Sequence, residues 1–116
     1  MAFGDAEIVR YTDLIEKLIW AKRRPPLHLR GKVREGQRIS GSEIELFMSR
    51  PSYSNPPTQV EESVAKVKYV RKRQTWQLFW KRADMKWRRY QTCSEVKSLE
   101  ECLRLVDEDT NGCFWG

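Results

Sequence analysis

The chain has 116 residues, of which 40% are hydrophobic and 11% aromatic, and a formal net charge of +6. This length suits one domain over residues 1–116, and the apolar content excludes a wholly disordered chain, which would bury too little surface to offset ordering entropy. No apolar run is long enough to cross a bilayer, and the first residues lack the basic start and apolar stretch of a secretory signal. We therefore expect a soluble, cytoplasmic protein without a membrane partner.

The first predicted element is an amphipathic helix over residues 5–24. Apolar residues recur there at helical spacing, at Ile8, Tyr11, Ile15, Leu18 and Ile19. Pro25 and Pro26 then end the helix, because proline disfavours helical geometry in the residue before it. The stripe predicts that this helix lies across a larger apolar surface.

The next predicted elements are two strands and a loop. Residues 43–49 alternate between apolar and polar side chains, as a half-buried strand does, and residues 33–39 are the expected hairpin partner. Residues 50–59, with the sequence RPSYSNPPTQ, are predicted as a loop because they contain three prolines. Neither side of this loop carries enough apolar surface to fold alone, so both belong to one domain.

The segment that follows is predicted as three antiparallel strands at residues 64–71, 76–82 and 86–91. A two-residue first turn near Arg73 and Gln74 would set Val67 opposite Trp80, and Tyr69 opposite Leu78, on a core-facing side. The register of the second hairpin stays open, because Met85 stands where glycine would ease the turn and a one-residue slip exchanges the faces.

The opposite side of these strands is predicted to be basic. Residues 64–90 contain ten Lys or Arg against one acid, whereas residues 39–63 contain four Glu against one Arg. The predicted basic face carries Lys66, Lys68, Lys72, Gln77, Phe79 and Lys81. A second basic block at residues 22–38 extends the positive charge, and this uneven layout indicates an anionic partner.

The last predicted element is a helix over residues 98–108, which begins with a capping box formed by Ser98 and Glu101. The stretch DEDTNG that follows matches the first places of an EF-hand loop, from Asp107 to Gly112. The glutamate that grips calcium with both oxygens belongs at the twelfth place, which would lie beyond Gly116. Asn-Gly is a common helix stop, so we expect helix termination and no metal site.

Cysteine and histidine usage gives no catalytic signature. Cys93, Cys102 and Cys113 are odd in number and widely spaced, which excludes a closed disulfide framework and a CxxC zinc half-site. We expect buried or unreacted thiols. His28, the single histidine, lies in a predicted loop. No phosphate-binding loop or nucleotide fingerprint is present, so we expect no cofactor.

The C-terminal half resembles a known family. The resemblance rests on WQLFWKRADMKWRRY (76–90), SLEECLRLVDEDTNGCFWG (98–116) and the strand SVAKVKY (63–69). These stretches are similar to bacterial proteins grouped as domain of unknown function 3024, whose members show a Trp-rich hairpin, a Ser-Leu-Glu helix and a closing Gly-Cys-Phe-Trp-Gly. Met85 departs from the glycine usual at that turn. The resemblance implies the fold and a bacterial cytoplasmic setting, and it carries over no catalytic residues.

These patterns predict an α+β fold: a single antiparallel sheet of four to six strands, with an N-terminal amphipathic helix and a short C-terminal helix. The residues predicted to be buried are Ile8, Ile15, Leu18, Val67, Tyr69, Leu78 and Trp80.

The sequence favours binding over catalysis. The leading hypothesis is a nucleic-acid-binding module in which lysines contact phosphates and aromatic rings stack on bases, as in single-strand binders. Its predicted binding residues are Lys66, Lys68, Lys72, Phe79, Lys81, Arg88 and Tyr90. The alternatives are an interaction module for an acidic protein or a homodimer, and a toxin-type ribonuclease. The ribonuclease would need His28 or Glu45 as its general base.

Overall fold

Two helical regions cover one face of an antiparallel sheet. The computed structural model describes residues 3–23, 34–51, 59–81, 84–90, 95–110 and 112–115. The chain begins with helix α1 (Asp5–Ile15), a π-helical segment (Glu16–Trp20) and a short helix α2 (Ala21–Arg23), which follow one another without interruption and form the N-terminal helix. Helix α3 (Leu99–Glu108) lies near the other end of the chain.

Within the described residues the sheet has six strands, all paired antiparallel. They are β1 (Arg34–Ser40), β2 (Glu43–Pro51), β3 (Gln59–Val70), β4 (Thr75–Lys81), β5 (Trp87–Arg89) and β6 (Glu95–Val96). The order across the sheet is β1-β2-β3-β4-β5, and β6 also pairs with β4. The predicted α+β fold is confirmed: along the chain, an N-terminal helix is followed by a single antiparallel sheet and a short C-terminal helix.

The β2–β3 ladder extends further than the residue pattern indicated. β3 begins at Gln59 rather than near residue 64, and its partner β2 continues to Pro51, inside the predicted loop. Ladder hydrogen bonds join backbone groups and do not depend on the side chains. Pairing therefore continues through Glu61 and Glu62, where apolar and polar side chains do not alternate. The rest of the predicted loop lies outside the described residues, as do His28 and Cys93.

The register of the β3–β4 hairpin differs from the prediction. Val67 pairs with Leu78 and Tyr69 with Trp76, so each partner is shifted by two residues from the expected one. The turn spans residues 71–74, and Gln74 takes a left-handed φ of 52°. Because side chains alternate with a period of two, a shift of two residues leaves every side chain on its predicted face.

The core lies between the helices and the sheet. Ile44, Val67 and Leu78 form one row across β2, β3 and β4, and each is at most 2% exposed. Ile15 and Ile19 of the N-terminal helix are fully enclosed above the sheet. Of the residues predicted to be buried, Ile15, Val67 and Leu78 are fully buried, whereas four are half-buried and pack against the edge of the core: Ile8, Leu18, Tyr69 and Trp80.

The π-helical segment has a packing role that helical periodicity did not predict. A π-turn adds a residue to the helical turn, and here the adjacent residues Ile19 and Trp20 are both buried. The indole Nε1 of Trp20 donates a hydrogen bond of 3.0 Å to Oε1 of Gln37 on β1. The segment therefore ties the helix to the edge of the sheet.

None of the helices in the described ranges is long and apolar enough to span a bilayer.

The C-terminal helix begins with a side-chain cap and ends at a residue with left-handed backbone geometry. The backbone N–H of Glu101 donates to Oγ of Ser98 at 3.2 Å, so the predicted start is confirmed. After Glu108, Asp109 takes a left-handed φ of 46°, and its carboxylate accepts the amides of Phe114 (3.0 Å) and Trp115 (2.8 Å). The DEDTNG stretch thus ends the helix through Asp109, while Asn111 lies outside the described residues.

A contact that we call the C-terminal lock joins the two helical regions through Arg23, Asp107 and Trp115. The guanidinium of Arg23 donates to the carboxylate of Asp107 at 2.6 Å and lies 4.2 Å from the ring centre of Trp115. The indole Nε1 of Trp115 donates to the carbonyl oxygen of Val106 at 2.8 Å. Lys22 adds an ion pair to Asp107 at 2.9 Å. The acidic stretch is therefore occupied by internal contacts, and within the described ranges no group of three or more His, Cys, Asp or Glu side chains is placed to hold a metal ion.

Candidate nucleic-acid interface

The candidate interface is the face of the sheet opposite the helices, which we call the outer face. Directly paired residues of neighbouring strands point to the same side of a sheet. Lys66 pairs with Phe79, and Phe79 pairs with Arg89, so these three side chains form one row across β3, β4 and β5. Lys81 pairs with Trp87 at the end of β4 and places both side chains on the same face.

Two lysines and two aromatic rings form a group on this face, the lysine–aromatic cluster of Lys66, Phe79, Lys81 and Trp87. The ammonium of Lys66 lies 5.1 Å from the ring centre of Phe79 and 5.0 Å from that of Trp87. The ammonium of Lys81 lies 5.3 Å from the ring centre of Trp87. Cation–π contacts of this kind are worth about 0.5–1 kcal/mol at exposed sites. All four side chains are half-buried, so both rings keep surface that faces solvent.

The outer face also carries acids, which the prediction of a basic face missed. β2 contributes Glu43 and Glu45, which pair with Lys68 and Lys66 on β3. β6 places Glu95 beside Gln77. The prediction considered only the three strands of the basic segment, and the acidic residues reach this face through strand pairing with segments distant in sequence.

Arginines neutralise most of these acids. Arg38 pairs with Glu61 at 2.7 Å and with Glu45 at 3.7 Å, and Arg73 pairs with Glu95 at 2.7 Å. Hydrogen bonds from Arg73 and from the Thr75 hydroxyl hold the pKa of Glu95 below its ordinary value. In the same way, hydrogen bonding to Glu61 raises the pKa of Arg38. Glu95 and Arg38 therefore remain charged at neutral pH.

The two lysines of the lysine–aromatic cluster have a different environment from these arginines. Among the residues that the structure describes, neither Lys66 nor Lys81 forms an ion pair, and the polar contact of Lys81 is with the Ser63 hydroxyl at 3.4 Å. Beyond them, β5 adds Arg89 to the outer face, where its guanidinium lies 3.8 Å from the carboxylate of Glu95. The positive charge that is open to a ligand is thus concentrated at the β4–β5 end of the outer face.

The structure brings only part of the predicted site together. Lys66, Lys68, Phe79 and Lys81 lie on the outer face. Lys72 lies in the β3–β4 turn, before the start of β4, whereas Lys81 ends that strand. Six residue steps of strand separate Thr75 from Lys81, about 20 Å, so Lys72 is at the opposite end.

Two predicted residues lie on the helix-covered side. Arg88 pairs with Trp80, which faces the core, and forms an ion pair of 3.3 Å with Asp84. Tyr90 is 2% exposed, and its ring centre is 5.1 Å from that of Phe114. The placement of Tyr90 on the basic face was wrong, because the register of the second hairpin turns its side chain into the core. The same register puts Trp87 and Arg89 on the outer face. It is one of the two registers, differing by one residue, that the sequence left open.

The family of the chain follows from comparison with known proteins. The family described as Domain of unknown function (DUF3024) matches residues 3–116. The chain belongs to this family. The resemblance noted in the C-terminal half is therefore confirmed, and DUF3024 also includes the N-terminal helix, β1 and β2. Neither a curated protein nor a solved structure matches the chain.

Glu45, one of the two candidate bases for a ribonuclease, has defined contacts on the outer face. Its carboxylate accepts a hydrogen bond of 3.1 Å from the Ser63 hydroxyl and lies 3.7 Å from the guanidinium of Arg38. His28, the other candidate, lies outside the described residues. Glu45 is thus held by a hydroxyl and a cation on the outer face.

Proposed function

We propose that this protein binds single-stranded nucleic acid, without catalysis, through the lysine–aromatic cluster. The observation that carries the proposal is the placement of two ammonium groups beside two half-exposed rings on neighbouring strands. Single-strand binders combine cations for the phosphates with rings for the bases, and each stacked base is worth about 1–3 kcal/mol. A bacterial, cytoplasmic setting belongs to the same proposal.

Binding would exchange the internal contacts of the cluster for contacts with the ligand. The ammonium groups of Lys66 and Lys81 leave the ring faces and reach phosphates, while bases take their places on Phe79 and Trp87. Long lysine side chains make this exchange at low cost, because each weak cation–π contact is replaced by a charge-assisted hydrogen bond. The row from Lys66 to Arg89 crosses two strand spacings, about 10 Å, which is room for roughly two nucleotides.

The test is fluorescence anisotropy with labelled single-stranded DNA and RNA oligomers at low salt. Phe79→Leu keeps an apolar side chain but removes the stacking surface, and we expect at least a fivefold loss of affinity. Lys66→Gln and Lys81→Gln should each weaken binding as well. Lys17→Gln, on the N-terminal helix, is the matched control and should leave affinity unchanged. Absence of binding at low salt, or an equal loss in the control, would overturn the proposal.

The mixed charge of the outer face supports a second candidate, binding of a protein. Rows such as Glu45–Lys66 and Glu43–Lys68 present both signs side by side, and a complementary surface would also carry both signs, as a second copy of this chain does. Sedimentation equilibrium would detect a homodimer. A dimer that is weakened by Glu43→Lys and restored by adding Lys68→Glu, with no oligonucleotide binding, would favour this candidate over nucleic acid.

A further inference from the structure

A cleft lies on the other side of the molecule, where α1, the β3–β4 hairpin and the first turn of α3 meet. It has a volume of about 410 Å3, within the range of small-molecule sites. Its lining includes the aromatic side chains of Tyr11, Tyr69 and Trp76. None of these residues belongs to the lysine–aromatic cluster.

The three aromatic rings of the cleft pack against one another. The ring centres of Tyr69 and Trp76 are 5.0 Å apart, and those of Tyr11 and Trp76 are 5.3 Å apart in an edge-to-face arrangement. Tyr11 and Trp76 are 6% and 4% exposed, whereas Tyr69 is half-buried. Tyr69 therefore offers the surface on which a planar ligand can stack, and the two buried rings hold it in place.

Two cations at the rim are placed to hold an anionic group. Arg10 and Lys97 line the cleft and are exposed, and among the described residues neither forms an ion pair. The carboxylate of Glu7, by contrast, accepts the Gly4 amide at 2.9 Å and the Tyr11 hydroxyl at 3.4 Å. The hydrogen bond from Gly4 lowers the pKa of Glu7. Glu7 is thus used within the chain, whereas Glu100, the other acid of the lining, is exposed. Arg10 donates a hydrogen bond of 3.4 Å to the Tyr11 hydroxyl, and Arg10 and Lys97 keep exposed cationic groups at the rim.

Cationic ligands fit this cleft less well. The guanidinium of Arg10 already lies 5.2 Å from the ring centre of Tyr11, and that of Arg71 lies 5.7 Å from the ring centre of Tyr69. A cationic ligand would meet both arginines at the rings that could hold it. We propose that the cleft binds a small organic anion with a planar ring, which stacks on Tyr69 and places its anionic group between Arg10 and Lys97.

The anionic group could be a carboxylate or a phosphate, and two probes distinguish them: indole-3-acetate and AMP. Indole-3-acetamide and adenosine are the matched neutral probes. Titration of 15N-labelled protein, followed by amide chemical shifts, locates each probe. We expect saturable shifts at Gln74, Lys97 and Leu99 with at least one anionic probe, and at least tenfold weaker binding of its neutral analogue.

Two variants test the rim cations. Arg10→Gln and Lys97→Gln replace exposed side chains, so the fold is retained, and each should weaken the anionic probe about two- to fivefold, the effect of one exposed ion pair. Lys17→Gln, which does not line the cleft, is the control. No shifts at millimolar probe, equal binding of the neutral analogues, or shifts at Phe79 and Trp87 instead would each overturn the inference. A bound oligonucleotide should leave the cleft shifts unchanged, so the cleft and the outer face are tested independently.

Discussion

At the residue scale, Met85 stands in a backbone conformation that suits glycine. Its φ is 66°, and its side chain is 69% exposed, so the strain brings no packing in return. A non-glycine residue in the left-handed region costs about 1–2 kcal/mol, and glycine loses about 0.5–1 kcal/mol in chain entropy. The backbone strain of Met85 is therefore a larger cost in free energy than the chain entropy that glycine would lose.

Met85→Gly should therefore raise the free energy of unfolding by about 0.5–1 kcal/mol, measured by urea denaturation. Met85→Ala is the control, since it removes the exposed side chain but keeps the strained φ, and it should be close to neutral. An equal gain from alanine would show that the side chain, and not the backbone, was unfavourable.

Asp109 is a second residue whose backbone conformation and side chain both affect the stability of the fold. Its left-handed φ ends α3, and its carboxylate accepts two backbone amides from the segment that follows. Asp109→Ala should lower the free energy of unfolding by about 2 kcal/mol or more, because hydrogen bonds to a charged acceptor are worth about 1.5–3 kcal/mol. Glu108→Ala, one residue earlier and exposed, should change it by less than about 0.5 kcal/mol.

At the scale of elements, the C-terminal lock makes stability depend on pH. Hydrogen bonds from Arg23 and then Lys22 hold the pKa of Asp107 below its ordinary value. A depressed folded-state pKa means that the stabilisation is fully present above the unfolded pKa of about 3.9. It is lost as the pH falls through the folded-state value.

The expected result is a pH-dependent difference between the wild type and Asp107→Asn. The variant should be less stable by about 1–2 kcal/mol from pH 5 to pH 7, and the difference should shrink below about pH 4. Urea denaturation at pH 7, 5 and 3 measures it. Lys22→Gln should have a smaller effect, since the Lys22 side chain is 58% exposed. A constant difference down to pH 3 would contradict the assignment.

The faces of β3 and β4 could be predicted from the sequence, but their register could not. Alternation with a period of two assigns Val67 and Leu78 to one side whatever turn joins the strands. The choice between a two-residue and a four-residue turn depends on the left-handed φ of Gln74, a residue with no strong preference for it. The residue pattern also missed β6, because two residues are too few to show a period.

The candidate site was predictable only in part, because a sheet face is assembled from strands distant in sequence. Lys66 and Phe79 were found through local alternation. Glu45 was not assigned to the same face, because it pairs with Lys66 across two hairpins and the β2–β3 ladder contains a bulge at Val64. The extra residue in a bulge breaks the alternation on which such assignments rest.

At the scale of the whole molecule, the net charge of +6 overstates the positive charge that a nucleic acid would meet on the outer face. Glu45, Glu61 and Glu95 share that face and are paired with arginines. The cations placed to contact phosphates are Lys66, Lys81 and Arg89, of which Arg89 also lies 3.8 Å from the carboxylate of Glu95. Each phosphate contact with a single strand contributes about −0.7 to the slope of log affinity against log salt.

We therefore expect a slope of about −2 for single-stranded oligomers, measured by anisotropy at three or more salt concentrations. Lys81→Gln should reduce the slope by about one contact, whereas Phe79→Leu should lower affinity and leave the slope nearly unchanged, because stacking releases no counterion. A slope near zero would contradict phosphate contacts at this surface.

The C-terminal lock also has a consequence for synthesis of the chain on the ribosome. The hydrogen bond between Arg23 and Asp107 spans 84 positions in sequence, and Phe114 of the core follows even later. The sheet can pair while translation continues, but the N-terminal helix lacks its partner on α3 until that segment leaves the exit tunnel. During this interval the apolar side of the helix is only partly covered, so a nascent chain stalled before residue 107 should be a substrate for chaperones, whereas the released chain of 116 residues should not.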